Sequence, residues 1–110
     1  MRRWSLRERL AEAYFRLICE LMFLYARGRY EEYWGRLKEW VKELPLEPER
    51  SSLLVEAFSY ELAIKEAPRS IREQLYKEYG NRLLSKVADL FWVKVMGWRP
   101  IGRLGGVPRA

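Results

Sequence analysis

Apolar residues in this chain recur at three- and four-residue steps, in blocks cut apart by Gly28, by Pro45 and Pro48, and by Pro68. That spacing is the period of one face of an α-helix, so the pattern predicts a row of helices joined by short turns. The first block predicts a helix from Leu6 to about Arg27. Ser5 followed by Glu8 spells a capping box, in which hydroxyl and carboxylate satisfy backbone donors reciprocally. Leu6, Leu10, Tyr14, Leu17, Leu21 and Leu24 share one face. The second half, "LICELMFLYA", is apolar almost all round, which predicts a buried central segment with Cys19 in the core. Gly28 suits a left-handed turn after it.

The second block predicts a helix from Tyr30 to Leu44, with Tyr30, Tyr33, Trp34, Leu37, Val41 and Leu44 on one face. The turn before it is short, so the first two helices form an antiparallel hairpin. No second copy of the hairpin follows one repeat later. A third helix is expected over Glu49–Glu66, with Leu53, Leu54, Ala57, Phe58, Leu62 and Ile64 as a broad apolar face. Ser70 with Glu73 reads as a second capping box. It opens a helix from Ile71 that could reach Met96, kinked or split at Gly80-Asn81. Leu83, Leu84, Val87, Ala88, Phe91 and Val95 form its stripe, and Trp92, Val93 and Met96 fall outside it. "FWVKVM" (91–96) favours a strand by residue type, but no second strand is apparent to pair with it. The expected fold is therefore all-α: a compact bundle of four to five helices over residues 1–97, with an irregular basic C-terminal tail over residues 98–110.

The 110 residues suffice for one modest core, and 49% hydrophobic composition excludes a disordered chain. The net charge is +6, but it is unevenly placed: +4 over residues 1–29, −4 over 30–68 and +6 over 69–110. If the two ends meet in space they make a basic face suited to a polyanion. Thr is absent and Asn and Gln occur once each, a depletion that fits a heat-adapted source. The longest apolar stretch is too short to span a bilayer and contains Glu20, and no convincing targeting segment appears. A cytoplasmic location is expected, or a particle assembled inside a cell.

The chain has no histidine and one cysteine, which removes the usual general base, the serine-type triad, disulfides and most zinc sites. The glycines of "GRLGG" (102–106) follow no strand and lack the Lys-Ser/Thr of a phosphate loop. Neither an enzymatic activity nor a cofactor or metal is expected. The remaining signals are binding signals. Arg2, Arg3 and Arg7 surround Trp4, while Arg82, Lys86, Arg99 and Arg103 lie near Trp98. Arginine interleaved with tryptophan suits phosphate contacts and stacking. Trp92, Met96, Trp98 and Ile101 are the expected partner-binding residues, because no carboxylate side chain occurs after Asp89 and the segment is apolar on nearly every side.

These features point to a non-catalytic small helical subunit of a nucleoprotein assembly. It would neutralise nucleic-acid phosphates, DNA or RNA, through basic residues and contact neighbouring subunits through its apolar C-terminal segment. Small subunits of RNA-guided effector complexes and nucleocapsid-type proteins share this general character, which is an analogy of class. The alternatives are a helical protein-interaction subunit without nucleic acid, and a helix-turn-helix transcription regulator hinged at Gly80.

Overall fold

The computed structural model describes residues 5–95 and Gly97. Four helices follow in order: α1 Leu6–Ala26, α2 Tyr30–Lys42, α3 Glu49–Glu66 and α4 Arg69–Leu90. A π-helical turn, Phe91–Val95, continues α4. No strand occurs among the described residues, including at 91–95, and the fold is all-α.

Local chemistry explains most of the boundaries. At the start of α1, the Glu8 N–H donates to Ser5 Oγ at 3.1 Å and the Ser5 N–H donates to Glu8 Oε1 at 3.0 Å. Gly28 takes φ +72° in the turn to α2, a conformation that side chains with a Cβ rarely adopt. Two arginines reach back to the helix before their own. Arg50 Nη1 donates to the Leu44 carbonyl at 2.9 Å, just past the end of α2. Arg72 donates to the Ala67 and Lys65 carbonyls, both at 3.1 Å, at the end of α3. Cations there satisfy carbonyls that the helix leaves orphaned. The Ser70–Glu73 capping box does not form: α4 begins at Arg69, preceded by Pro68, with no side-chain cap. Proline supplies the extended entry, and Ser70 lies already inside the helix.

Gly80 does not split α4, which runs unbroken through it. A helix-turn-helix hinged at Gly80 is accordingly not formed. The glycine serves packing instead. α2 and α4 are the central pair, and a Cβ at Gly80 would lie 2.6 Å from Cε2 of Tyr33. Leu37, Val41, Leu83 and Val87 bury completely in the same core. The two helices run in the same direction. The Glu31 N–H donates to Glu73 near their starts, and Leu44 shares a crevice with Leu90 and Phe91 near their ends.

α1 and α3 flank this pair on opposite sides, and two cations of α2 mark the geometry. Arg36 Nε donates to Glu20 of α1, whereas Lys38 Nζ donates to Glu61 of α3 at 2.6 Å. Two residues on a helix are about 200° apart, so the helices they reach cannot lie on one side. Ion pairs this accessible are worth roughly 0–1 kcal/mol each, so they align the flanking helices more than they hold them. The apolar core does the holding, with Leu10, Tyr14, Leu17 and Leu21 from α1 and Leu53 and Ala57 from α3. Phe91 closes one end: it is 2% exposed and stacks on Tyr14 with centroids 4.0 Å apart.

Candidate interaction surfaces

The two flanking helices carry their apolar residues on the wrong side for a bundle that stands alone. The "LICELMFLYA" half of α1 is not buried: Met22 is 65% exposed, Phe23 54%, Phe15 51%, and Cys19 is exposed as well. Leu6, expected on the core face, is also exposed. The reason is coordination. α1 packs mainly on α2 and the π-helical turn, so one stripe of the helix satisfies the core and the other apolar side faces out. From Phe15 to Ala26 that outward side is mainly apolar, with exposed Arg16 at its edge and the Arg27 guanidinium 4.3 Å over the Phe23 ring. Glu20 of the same stretch turns aside to Arg36, and Arg16 pairs with Glu12 at 2.9 Å.

α3 repeats the pattern. Val55 is 69% exposed and Phe58 62%, with Leu62 beside them, so Phe58 and Leu62 lie outside the core in which they were expected. Both mid-helix carboxylates of α3 turn inward. Glu56 accepts from the Tyr60 hydroxyl and lies 3.5 Å from Lys86 of α4. Glu61 accepts from Trp34 Nε1 at 3.0 Å and from Lys38. Burial raises the pKa of Glu61, but the hydrogen bonds from Lys38 and Trp34 outweigh it and hold the carboxyl below its usual range. What α3 leaves outward over its middle is Ser52, Val55, Phe58, Ser59, Leu62 and Ala63, with the exposed Lys65 and Glu66 following in the last turn.

Between α1 and α4 lies an open apolar groove of about 420 Å³, lined by Ile18, Leu21, Met22, Tyr25, Tyr33 and Leu84. Its polar corner is a relay in which the Tyr33 hydroxyl donates to Asn81 Oδ1 at 2.6 Å and Asn81 Nδ2 donates to the Tyr25 hydroxyl at 3.4 Å. Burial, with Tyr25 adding to it, pushes the Tyr33 hydroxyl up to about 12. It is a structural tyrosine, locked as a donor.

The expected nucleic-acid residues are only partly within the described chain. Arg2, Arg3, Arg99 and Arg103 lie outside it, as do the expected partner residues Met96, Trp98 and Ile101 and the tail boundary at residue 98. Arg7 is exposed in the first turn of α1, its Nη2 3.6 Å from where a Cβ on Gly97 would sit. Arg82 and Lys86 are one turn apart on the α3 side of α4. Arg82 lies 5.4 Å from the Tyr79 ring, which itself stacks on Tyr60, while Lys86 is drawn to Glu56. Arg7 and the α4 pair therefore belong to different parts of the surface. Trp92 falls where a partner residue should. It is 38% exposed and meets Phe91 edge-on, and Phe91 meets Phe15 the same way, so Trp92 extends the outward face of α1.

Among the described residues, no helix is long and apolar enough to cross a membrane. The fold and surface define an all-α helical bundle whose two flanking helices expose apolar side chains. Set against protein-family models, curated proteins and solved structures, the chain matches none of them.

Proposed function

We propose that this chain is a non-catalytic helical subunit of a larger assembly, working in the cytoplasm and docking through the outward faces of α1 and α3. One observation carries the reading: both flanking helices leave aromatic and aliphatic side chains in water, while Glu20 of α1 reaches to Arg36 and Glu56 and Glu61 of α3 turn to Lys86 and Lys38. A surface helix of a free-standing bundle has the opposite polarity, and contiguous exposed apolar area marks protein contact. Trp92 belongs to the α1 docking face, and Met96, Trp98 and Ile101 continue the same apolar segment in sequence.

The test is the size of the native complex. Tagged chain recovered from its own cells should travel in a particle well above 13.3 kDa, and Met22→Glu with Phe23→Glu should release it. Migration as a free 13.3 kDa chain in native extract overturns the proposal.

A second reading makes the assembly a nucleoprotein. It is favoured by the net +6 charge and by the nine cations against three acids over residues 69–110. Arg2, Arg3, Arg7, Arg82, Lys86, Arg99 and Arg103 would then neutralise phosphates without reading bases. Against it, much of the arginine in the described bundle has structural work: Arg36 clips α1, and Arg50 and Arg72 cap helix ends.

A further inference from the structure

We infer that the outward face of α1 is covered, in the free chain, by the chain's own residues 98–107, which a docking partner has to displace. The inference rests on that face being a contact surface, and it names the occupant when the partner is away.

The place where the chain leaves the bundle selects this occupant. The π-helical turn packs on α1, with Phe91 against Tyr14 and Phe15. From there the chain runs towards the start of α1, and a Cβ on Gly97 would lie 3.6 Å from Arg7 Nη2. Gly97 takes φ +73°, the left-handed conformation that ends a helix and turns the chain aside. Residues 98–110 therefore begin at one end of the α1 face, just past the exposed Trp92 and Val93 in sequence. The α3 face lies on the opposite flank of the α2–α4 pair, as the divergent reach of Arg36 and Lys38 shows. A tethered segment acts at an effective concentration near millimolar, which a dilute partner does not match.

The segment's own pattern fits the task. Trp98, Ile101, Leu104 and Val107 recur at every third residue, with proline, glycine and arginine filling every place between. Three residues is the period of a polyproline II helix, in which those four side chains would share one edge and Arg99, Arg103 and Arg109 would fall off it. No carboxylate side chain interrupts the row. The reach fits as well. At roughly 3.1 Å per residue, Trp98 to Val107 spans about 28 Å in that form. Arg7 to Phe23 along α1 is about 24 Å. Leu104 lies about 22 Å from Gly97 on this reckoning and Cys19 about 18 Å from Arg7, so the two fall close together. The row then lies over Phe15, Cys19, Met22 and Phe23, all of them exposed.

Cys19 is the chain's one cysteine and reports directly on this face. In purified full-length chain, Trp98→Ser with Leu104→Ser should raise the rate of Cys19 alkylation by iodoacetamide about tenfold or more, because the wild-type face is mostly covered. Circular dichroism must match wild type. A rate equal to wild type overturns the inference. If the double variant does not fold, cross-linking replaces it. Under a glutathione redox buffer, Leu104→Cys, on the apolar row, should close an intramolecular disulfide with Cys19 faster than Arg103→Cys, beside it but off the row. Equal rates describe an undocked tether and overturn the inference. Displacement has its own readout: in native extract a larger share of the Trp98→Ser, Leu104→Ser chain should enter the particle. A smaller share overturns it, because Trp98 would then belong to the partner contact. If Cys19 is equally reactive in both chains while the native complex is large, the cover falls and the assembly-subunit reading survives with an open α1 face. If Cys19 is shielded while the chain migrates free in native extract, the cover stands and the assembly-subunit reading falls.

Discussion

The ring of Tyr33 occupies the space that a side chain at residue 80 would need: a Cβ on Gly80 would meet Tyr33 Cε2 at 2.6 Å. Tyr33 is itself 1% exposed and tied through its hydroxyl to Asn81, so it cannot swing away. Gly80→Ala should therefore destabilise the fold by about 1–3 kcal/mol, although alanine is the better helix former. Gly35, inside α2, has nothing within 4 Å of its Cβ position. Gly35→Ala should stabilise by about 0.5–1 kcal/mol, through propensity and the unfolded chain. Thermal or urea unfolding of the two variants should move in opposite directions, and a stabilising Gly80→Ala would refute the close approach.

The carboxyl of Glu61 is held below its ordinary value by Lys38 and Trp34. Its pKa is lower folded than unfolded, so the unfolded chain binds more protons as pH falls. The stability it contributes is complete above the unfolded value near 4.5 and drains as pH drops through the folded value. Glu61→Gln should lower stability at neutral pH by about 1 kcal/mol, since the hydrogen-bonded pair is only partly accessible. It should also flatten the acid limb of the stability–pH curve. An unchanged acid limb would show that the carboxylate is not differentially ionised.

Tyr33 gives the converse case. Its hydroxyl is raised from 10.0 to about 12, so the stability of its protonated form is present below pH 10 and is lost as pH rises towards 12. Absorbance titration of the tyrosines should show one group ionising late or only with alkaline unfolding, and Tyr33→Phe should remove it.

Ser5 and Ser70 look alike in sequence, each three residues before a glutamate. Ser5 caps α1 and Ser70 caps nothing. Ser5→Ala should cost about 1 kcal/mol, and Ser70→Ala should stay within about 0.5 kcal/mol of wild type. Equal effects in denaturant unfolding would contradict the assignment.

Nucleic-acid binding is decided by anisotropy of labelled duplex DNA, single-stranded DNA and RNA at several salt concentrations. If the chain neutralises phosphates, log affinity falls linearly with log salt, and Arg99→Glu with Arg103→Glu abolishes binding. Absence of binding at low salt removes that reading.

How much of this was legible beforehand differs by element. The bounds of α3, the capping box at Ser5, the left-handed Gly28 and the α1–α2 hairpin could be read from residue order, because each depends on chemistry within one or two turns. The candidate surface was legible at Trp92 and Val93, whose place outside the Leu84–Phe91 stripe marked them as unburied. Phe15, Cys19, Met22, Phe23, Val55, Phe58 and Leu62 were missed as surface residues, since a helix apolar all round reads as a buried one. One signal pointed the other way: α1 and α3 are too apolar for the flank of a small bundle, and a chain of 110 residues has no room to surround both.

The sequence by itself determined the all-α class and most helix boundaries, because caps, prolines and three-to-four spacing act locally. Tertiary structure alone decided which side of each helix is covered. That depends on how many neighbours a helix has, and α2 and α4 took the centre because Gly80 admits the Tyr33 ring. With the centre filled, α1 and α3 were left at the edges, each with one apolar side that the described residues leave exposed.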